Sequence, residues 1–230
     1  MKFSLAVIGW FGALLVLVVA ISISFLWLDR PVASFMHDHF GYLHRRGVDD
    51  LSNFPNPLLL LAIVLSVVFG LRMILRRPLS WNQANIFICS LTVIFTETAK
   101  NLLKLVFGRT WPETWVQDNA SFIRDGVYGF HFMHGGVAFQ SFPSGHMAAA
   151  CTVISVLWIR YPDFRSYYLA AVLLIGASLV VGNFHFLSDV LAGAFLGLSN
   201  GWIALLIWDR FAGRGMACVD SKMGLRDIAR

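Results

Sequence analysis

Six stretches of the chain run almost free of charged side chains for about the thickness of a bilayer: 5–28, 56–75, 84–107, 140–159, 167–185 and 188–208. A helix of about 20 apolar residues crosses roughly 30 Å of hydrocarbon, and backbone in lipid must satisfy its own hydrogen bonds, so each stretch predicts a membrane-spanning helix. The connections between them differ in length. Those after the second and fourth stretches are short, whereas 29–55 and 108–139 are long, and long connections are where sites tend to be built. Within 31–46, "PVASFMHDHFGYLHRR", Val32, Phe35, Met36, His39 and Leu43 recur at helical spacing and predict an interfacial amphipathic helix between spans 1 and 2. The first stretch has a longer apolar core than a secretory signal, and Ala20-Ile21-Ser22 is a poor cleavage site, so it reads as an uncleaved anchor. The expected fold is all-α, a six-transmembrane-helix bundle forming one unit over 1–230, with no internal repeat, low-complexity tract or dividing linker.

Composition sharpens this picture. The 230 residues are 57% hydrophobic and 13% charged, with a mean hydropathy of +0.68, which excludes an ordinary water-soluble domain. An even number of spans puts both termini on one side. On that side lie Lys2, Arg72, Arg76, Arg77, Arg160, Arg165, Arg210, Arg214, Lys222, Arg226 and Arg230, outnumbering Arg30, Arg45, Arg46, Arg109 and Arg124 opposite. The positive-inside rule therefore predicts cytoplasmic termini in a multi-pass cytoplasmic (inner) membrane protein, with the long loops on the periplasmic or extracellular side. It also accounts for the pI of 9.4 through topology and anionic lipid, without a nucleic-acid partner. Cys89, Cys151 and Cys218 show no disulfide or zinc spacing.

The candidate chemistry gathers at the outer ends of the spans. Glu97, Lys100 and Lys104 share one face of the third, and charges inside a span point to protein or a polar cavity. "SFPSGH" opens the fourth, where the free N–H groups of a helix start beside His146 can bind an anion, although Pro, Ser and Gly are also ordinary helix-start residues. "HFLSDVLAG" opens the sixth; His185 and Asp189 are four apart, so the carboxylate can orient the imidazole or merely cap the helix. Asn183 is a neutral donor beside His185, and Gly193, Gly197 and Gly201 form a stripe for close helix packing. His131 and His134 in the aromatic loop 108–139 lack the third ligand a metal site needs, and His37, His39 and His44, which could bind a metal, fit better as the wet, headgroup-level face of the interfacial helix. Cations, helix-start amides, two histidines and a carboxylate at one depth suit phosphoryl transfer without a metal or other cofactor.

With these residues assembled, the chain resembles the type 2 phosphatidic acid phosphatase superfamily, in its bacterial membrane lipid phosphatase branch. That family's signature reads Lys-x6-Arg-Pro, Pro-Ser-Gly-His, and Ser-Arg-x5-His-x3-Asp. The second part is complete as Pro143-Ser144-Gly145-His146; the third survives as Ser178-Leu179 followed by His185 and Asp189; the first as Lys104, Trp111 and Pro112. The match covers roughly residues 100 to 200. The resemblance implies that His185 attacks phosphorus, Asp189 orients it and His146 protonates the departing oxygen. It implies that Lys104, Ser144 and Gly145 hold the phosphate. Both signature arginines are replaced, by Trp111 and Leu179, and a bidentate guanidinium is not easily replaced. Arg109 is the candidate substitute, with Lys100 and Arg124 behind it.

The expected function is hydrolysis of a phosphomonoester or pyrophosphate of a membrane lipid through a phosphohistidine. Candidate substrates are a polyprenyl pyrophosphate, phosphatidylglycerol phosphate, phosphatidic acid and lipid A. A lipid phosphotransferase differs only in what attacks the intermediate, and a lipid-binding or transport protein that lost turnover with its arginines is a third reading. A haem or metal redox protein would need ligands facing each other across spans, whereas these histidines sit in loops and span ends. The sequence carries no signal for the oligomeric state.

Overall fold

The computed structural model describes residues 2–44, 55–115 and 117–211. Among these residues the chain is helical, with only isolated bridges between extended positions. Helix α1 (Lys2–Ile23) passes through a π-helical segment (Ser24–Leu28) directly into α2 (Asp29–His44). Then come α3 (Pro55–Ile74), α4 (Trp81–Phe107), the short α5 (Phe122–Asp125), α6 (Gly145–Arg160), α7 (Arg165–Val181) and α8 (Leu187–Phe211).

Five helical runs are long and apolar enough to cross a membrane: Gly9–Gly41, Pro57–Ile74, Trp81–Phe107, Pro162–Val181 and Leu187–Phe211. The sixth, α6, is apolar but has 16 residues. The stretch expected from 140 begins five residues later because Ser144 is extended and its Oγ accepts the Met147 N–H, an N-cap that fixes the helix start. The helix expected at 31–46 is continuous with the first span instead of lying apart from it. Pro31 has no N–H to offer a carbonyl in the preceding turn, and the ladder adjusts just before it, where Asp29 N–H reaches Ser24 O. Arg45, Arg46, Arg214, Lys222, Arg226, Arg230 and Cys218 lie outside the described residues.

The core is built by α4, α6 and α8, with α3 against α4, α7 against α6 and α1 against α8. The apolar outer faces, such as Leu15 and Val16, Leu60 and Leu61, and Leu173 and Leu174, are exposed, as lipid-facing positions are. Between α6 and α8 the glycine stripe sets the spacing: a Cβ at Gly197 would stand 2.3 Å from the Ala148 carbonyl oxygen. Thr152 Oγ donates to Thr96 Oγ, and Asn200 Nδ2 donates to the same oxygen, so the three core helices share a buried polar link. Leu179, Met147, Cys151 and Val190 fill the apolar space beside the site.

Candidate active site

The C-terminal end of α4 and the N-terminal ends of α6 and α8 meet on one side of this core. Helix α4 starts at a capping box, Ser80 with Gln83, and ends at Gly108 with φ +52°, whose N–H closes on Lys104 O. A Cβ there would lie 2.0 Å from His131 O, so only glycine fits. The loop that follows folds back over the helix end: His131 N–H donates to Gly108 O at 2.8 Å and Ser141 N–H to Arg109 O at 3.1 Å. Phe107, Phe130 and Phe142 pack edge to face beneath it.

His185 sits in the turn between α7 and α8, 3% exposed, and its N–H donates to the carbonyl of Leu179 at 3.2 Å. Its Nδ1 lies 3.7 Å from Asp189 Oδ2 and 3.4 Å from Ser141 Oγ. The same Oδ2 accepts Ser141 Oγ–H at 2.6 Å and the Phe186 N–H at 3.0 Å. Asp189 thus caps the start of α8 and lies beside the imidazole at once. With Nδ1 turned to the carboxylate, Nε2 is the nitrogen left for chemistry. Burial pulls the His185 pKa down; the hydrogen bond and charge of Asp189 oppose this, and the charge of Lys104 adds to the lowering. The ring of His146, at the second position of α6, has its centre 6.2 Å from that of His185. Trp111 stands 5.3 Å from His185, centre to centre, held by its Nε1 hydrogen bond to Val137 O, and Lys104 Nζ lies 5.7 Å from the Trp111 ring.

Ser144 and Gly145 are where the sequence puts them, at the helix start. Ser144 N–H donates to the Asp189 carbonyl at 3.0 Å, which ties α6 to α8. Beneath Gly145 lies Lys100, buried and bonded to Glu97 at 2.5 Å. Two expected phosphate contacts are placed otherwise. Asn183, at φ +54°, directs its amide to Ala33 O at 2.9 Å and to Glu113 Oε1 at 3.4 Å, away from His185. Arg109 is 0% exposed. Its Nη1 donates to Asp189 Oδ1 and Ser188 Oγ, and its Nη2 to Asp29 Oδ2 and Tyr128 Oη. The rings of Phe25, Tyr128, Phe130 and Phe186 surround it, the nearest at 4.5 Å. Burial works against its charge and the two carboxylates override this, so the guanidinium is held more firmly protonated than usual. Arg124 is exposed and pairs with Asp118 and Asp125. Leu179 is packed in the apolar core, so of the two replaced arginine positions only Trp111 faces the histidines.

The family model of the PAP2 superfamily matches residues 85–212, more than half of the chain. The chain belongs to the PAP2 superfamily. Among curated proteins it is similar to the "Lipid A 1-phosphatase" of Rhizobium etli, 27% identical over 208 residues, 86% of this chain and 83% of that protein. It is also similar to the protein of that name from Rhizobium johnstonii, 32% identical over 137 residues, covering 60% of this chain and 51% of that one. A further relative of that name, from Porphyromonas gingivalis, is 30% identical over 115 residues, 44% of this chain and 26% of that protein. No solved structure matches. PAP2 membership, these relatives and the apolar helices mark the chain as a multi-pass membrane phosphatase. Two residues of this PAP2 site were missed from sequence. Ser141 carries the signal of a polar residue just before Pro-Ser-Gly-His, and Asp29 that of a lone carboxylate at the end of an apolar span, which by default seeks a partner.

Proposed function

We propose that the protein is an integral membrane phosphatase that removes a phosphate from lipid A through a phosphohistidine. The observation that carries this reading is the convergence of His185, with Nδ1 turned to Asp189, and His146 at the start of α6. Nε2 of His185 attacks phosphorus, the bond from phosphorus to the lipid oxygen breaks, and that oxygen takes a proton from His146. The cationic phosphorylated ring is stabilised by Asp189. Water then attacks phosphorus and gives a proton to His146, the P–N bond breaks, and inorganic phosphate leaves with both histidines restored. Lys104 and the Ser144–Gly145 segment with its helix-start N–H groups take the non-bridging oxygens, so the charge stabilisation comes from the chain itself and requires no metal.

Among the candidate headgroups, lipid A is favoured by the names of the three relatives. The chain acts as one unit over 1–230, with α6 as a sixth, short span. Both termini lie on the cytoplasmic side of the inner membrane and the site on the opposite face, as the Lys/Arg distribution supports. The test is phosphate release by purified protein in detergent with chelator present, over lipid A, phosphatidic acid, phosphatidylglycerol phosphate and polyprenyl pyrophosphate, against His185→Ala. Chelator-resistant release, highest on lipid A and lost in the variant, is expected. Silence on all four lipids, with Trp111 in place of the signature arginine, would overturn the hydrolase reading; label moved to an added lipid or sugar would show a transferase.

A further inference from the structure

The region matched by the PAP2 family model begins at residue 85, yet one of the most deeply buried charges beside the site comes from outside it. Asp29 is fully buried at its side chain, as are Arg109 and Asp189. We propose, resting on the phosphohistidine reading, that Asp29 is a positioning residue for the reaction: through Arg109 it holds the Asp189 carboxylate and keeps the cluster facing His185 negatively charged.

The geometry divides the work of Asp189 between its oxygens. Oδ1 is anchored by Arg109 Nη1 at 2.6 Å, leaving Oδ2 to Ser141, the Phe186 N–H and the imidazole. If Arg109 met Asp189 alone, the pair would be neutral, and the guanidinium would cancel the charge that His185 needs when phosphorylation makes its ring cationic. Asp29 takes the other edge of the guanidinium at 2.6 Å, so two carboxylates share one cation and a net negative charge remains. The aromatic cage of Arg109 excludes water, so this balance is set by side chains and unscreened by solvent. Asp29 is itself fixed: it accepts Ser24 Oγ at 2.7 Å, the Ser188 N–H at 3.0 Å and Ser188 Oγ at 2.5 Å. The groups facing His185 are Asp189 from α8, with Arg109, Asp29 and Tyr128 behind it, Lys104 from α4 with Lys100 and Glu97 near it, and His146 from α6. Of this set only Asp29, the first residue of α2, comes from the first membrane-crossing run.

The test uses the full chain in detergent, with Asp29→Asn and the double variant Asp29→Asn/Arg109→Gln, which restores the net charge by removing one charge of each sign. Histidine-selective NMR follows the His185 ring through a pH titration, its resonance assigned by its loss in His185→Gln; kcat/KM is followed over the same range. In Asp29→Asn the His185 titration moves to lower pH, because a negative charge is gone, and kcat/KM falls about 10- to 150-fold, the size expected for losing a charged partner of a buried hydrogen bond. The double variant brings the titration back up. If the titration stays in place in Asp29→Asn while activity falls, Asp29 only pins the first helix and the proposal is overturned. Should Asp29→Asn not fold, a double variant that folds and titrates like the wild type supports charge balance, and one that does neither overturns it. A wild type inactive on every lipid would sink the phosphatase reading alone, since the NMR titration needs no turnover.

Discussion

Removing a single buried hydroxyl tests whether the oxygen of Asp189 that faces His185 is held as its contacts suggest. Ser141 is 0% exposed and its Oγ donates to Asp189 Oδ2 at 2.6 Å while lying 3.4 Å from His185 Nδ1. Ser141→Ala takes away that donor and little volume. A hydrogen bond to a charged group contributes about 1.5–3 kcal/mol. Oδ2 retains the Phe186 N–H and Oδ1 retains Arg109, so the carboxylate stays ionised and in place, with less to fix its rotation. If the lost interaction acts when the His185 ring becomes cationic, the same energy appears as a drop of about 10- to 150-fold in kcat/KM. The assay is lipid phosphate release over a range of substrate concentrations, together with thermal unfolding in the same detergent. A variant within twofold of the wild type in kcat/KM and with an unchanged unfolding temperature would show that Ser141 does not position Asp189, and that the carboxylate is held by Arg109 and the backbone alone.

Two further outcomes follow from the same structure. In the proposed mechanism His185 attacks as the neutral ring, and burial depresses its pKa below the ordinary 6.5, so activity lost on protonation should survive to lower pH than for an exposed histidine. An acid limb of kcat/KM above that value would contradict the desolvated site. Gly197→Ala would put a Cβ 2.3 Å from the Ala148 oxygen and 2.7 Å from the Thr152 nitrogen, both backbone atoms, so α8 must move off α6 at a cost of about 1–3 kcal/mol. A lower unfolding temperature in detergent is expected, and an unchanged one would mean the helices are less closely packed than described.

Hydropathy located the membrane helices to within a few residues because lipid imposes one demand along the whole segment. The stretches at 56–75 and 167–185 became Pro55–Ile74 and Arg165–Val181. Where local chemistry competes with hydropathy the sequence was less legible: Ser144 delays the start of the fourth helix to Gly145, and no breaker between Ile23 and Asp29 interrupts the first helix. The His185 and Asp189 pair was readable because a four-residue spacing is a local property of a helix start. Arg109 was misplaced for the opposite reason. Its carboxylate partners lie 80 residues away in each direction, and a cation three residues before Pro112 looks the same in sequence whether it meets a phosphate or two aspartates. Asn183 failed likewise, since its left-handed backbone turns the amide to α2.

The π-helical segment at Ser24–Leu28 also sets the rotation of everything after it. A helix advances about 100° per residue, and a π turn holds one residue more than a regular one. Were this segment a regular α-helix, the side now presented by Asp29, Ala33 and His37, four residues apart, would be presented by Leu28, Val32 and Met36, an apolar stripe with no polar side chain to offer Arg109 or Glu113. The extra residue works as a phase shifter, turning a membrane anchor into an element addressed to the site. Inserting one more residue there would swing Asp29 away by about 100°, while deleting one and restoring a regular helix would leave it in place.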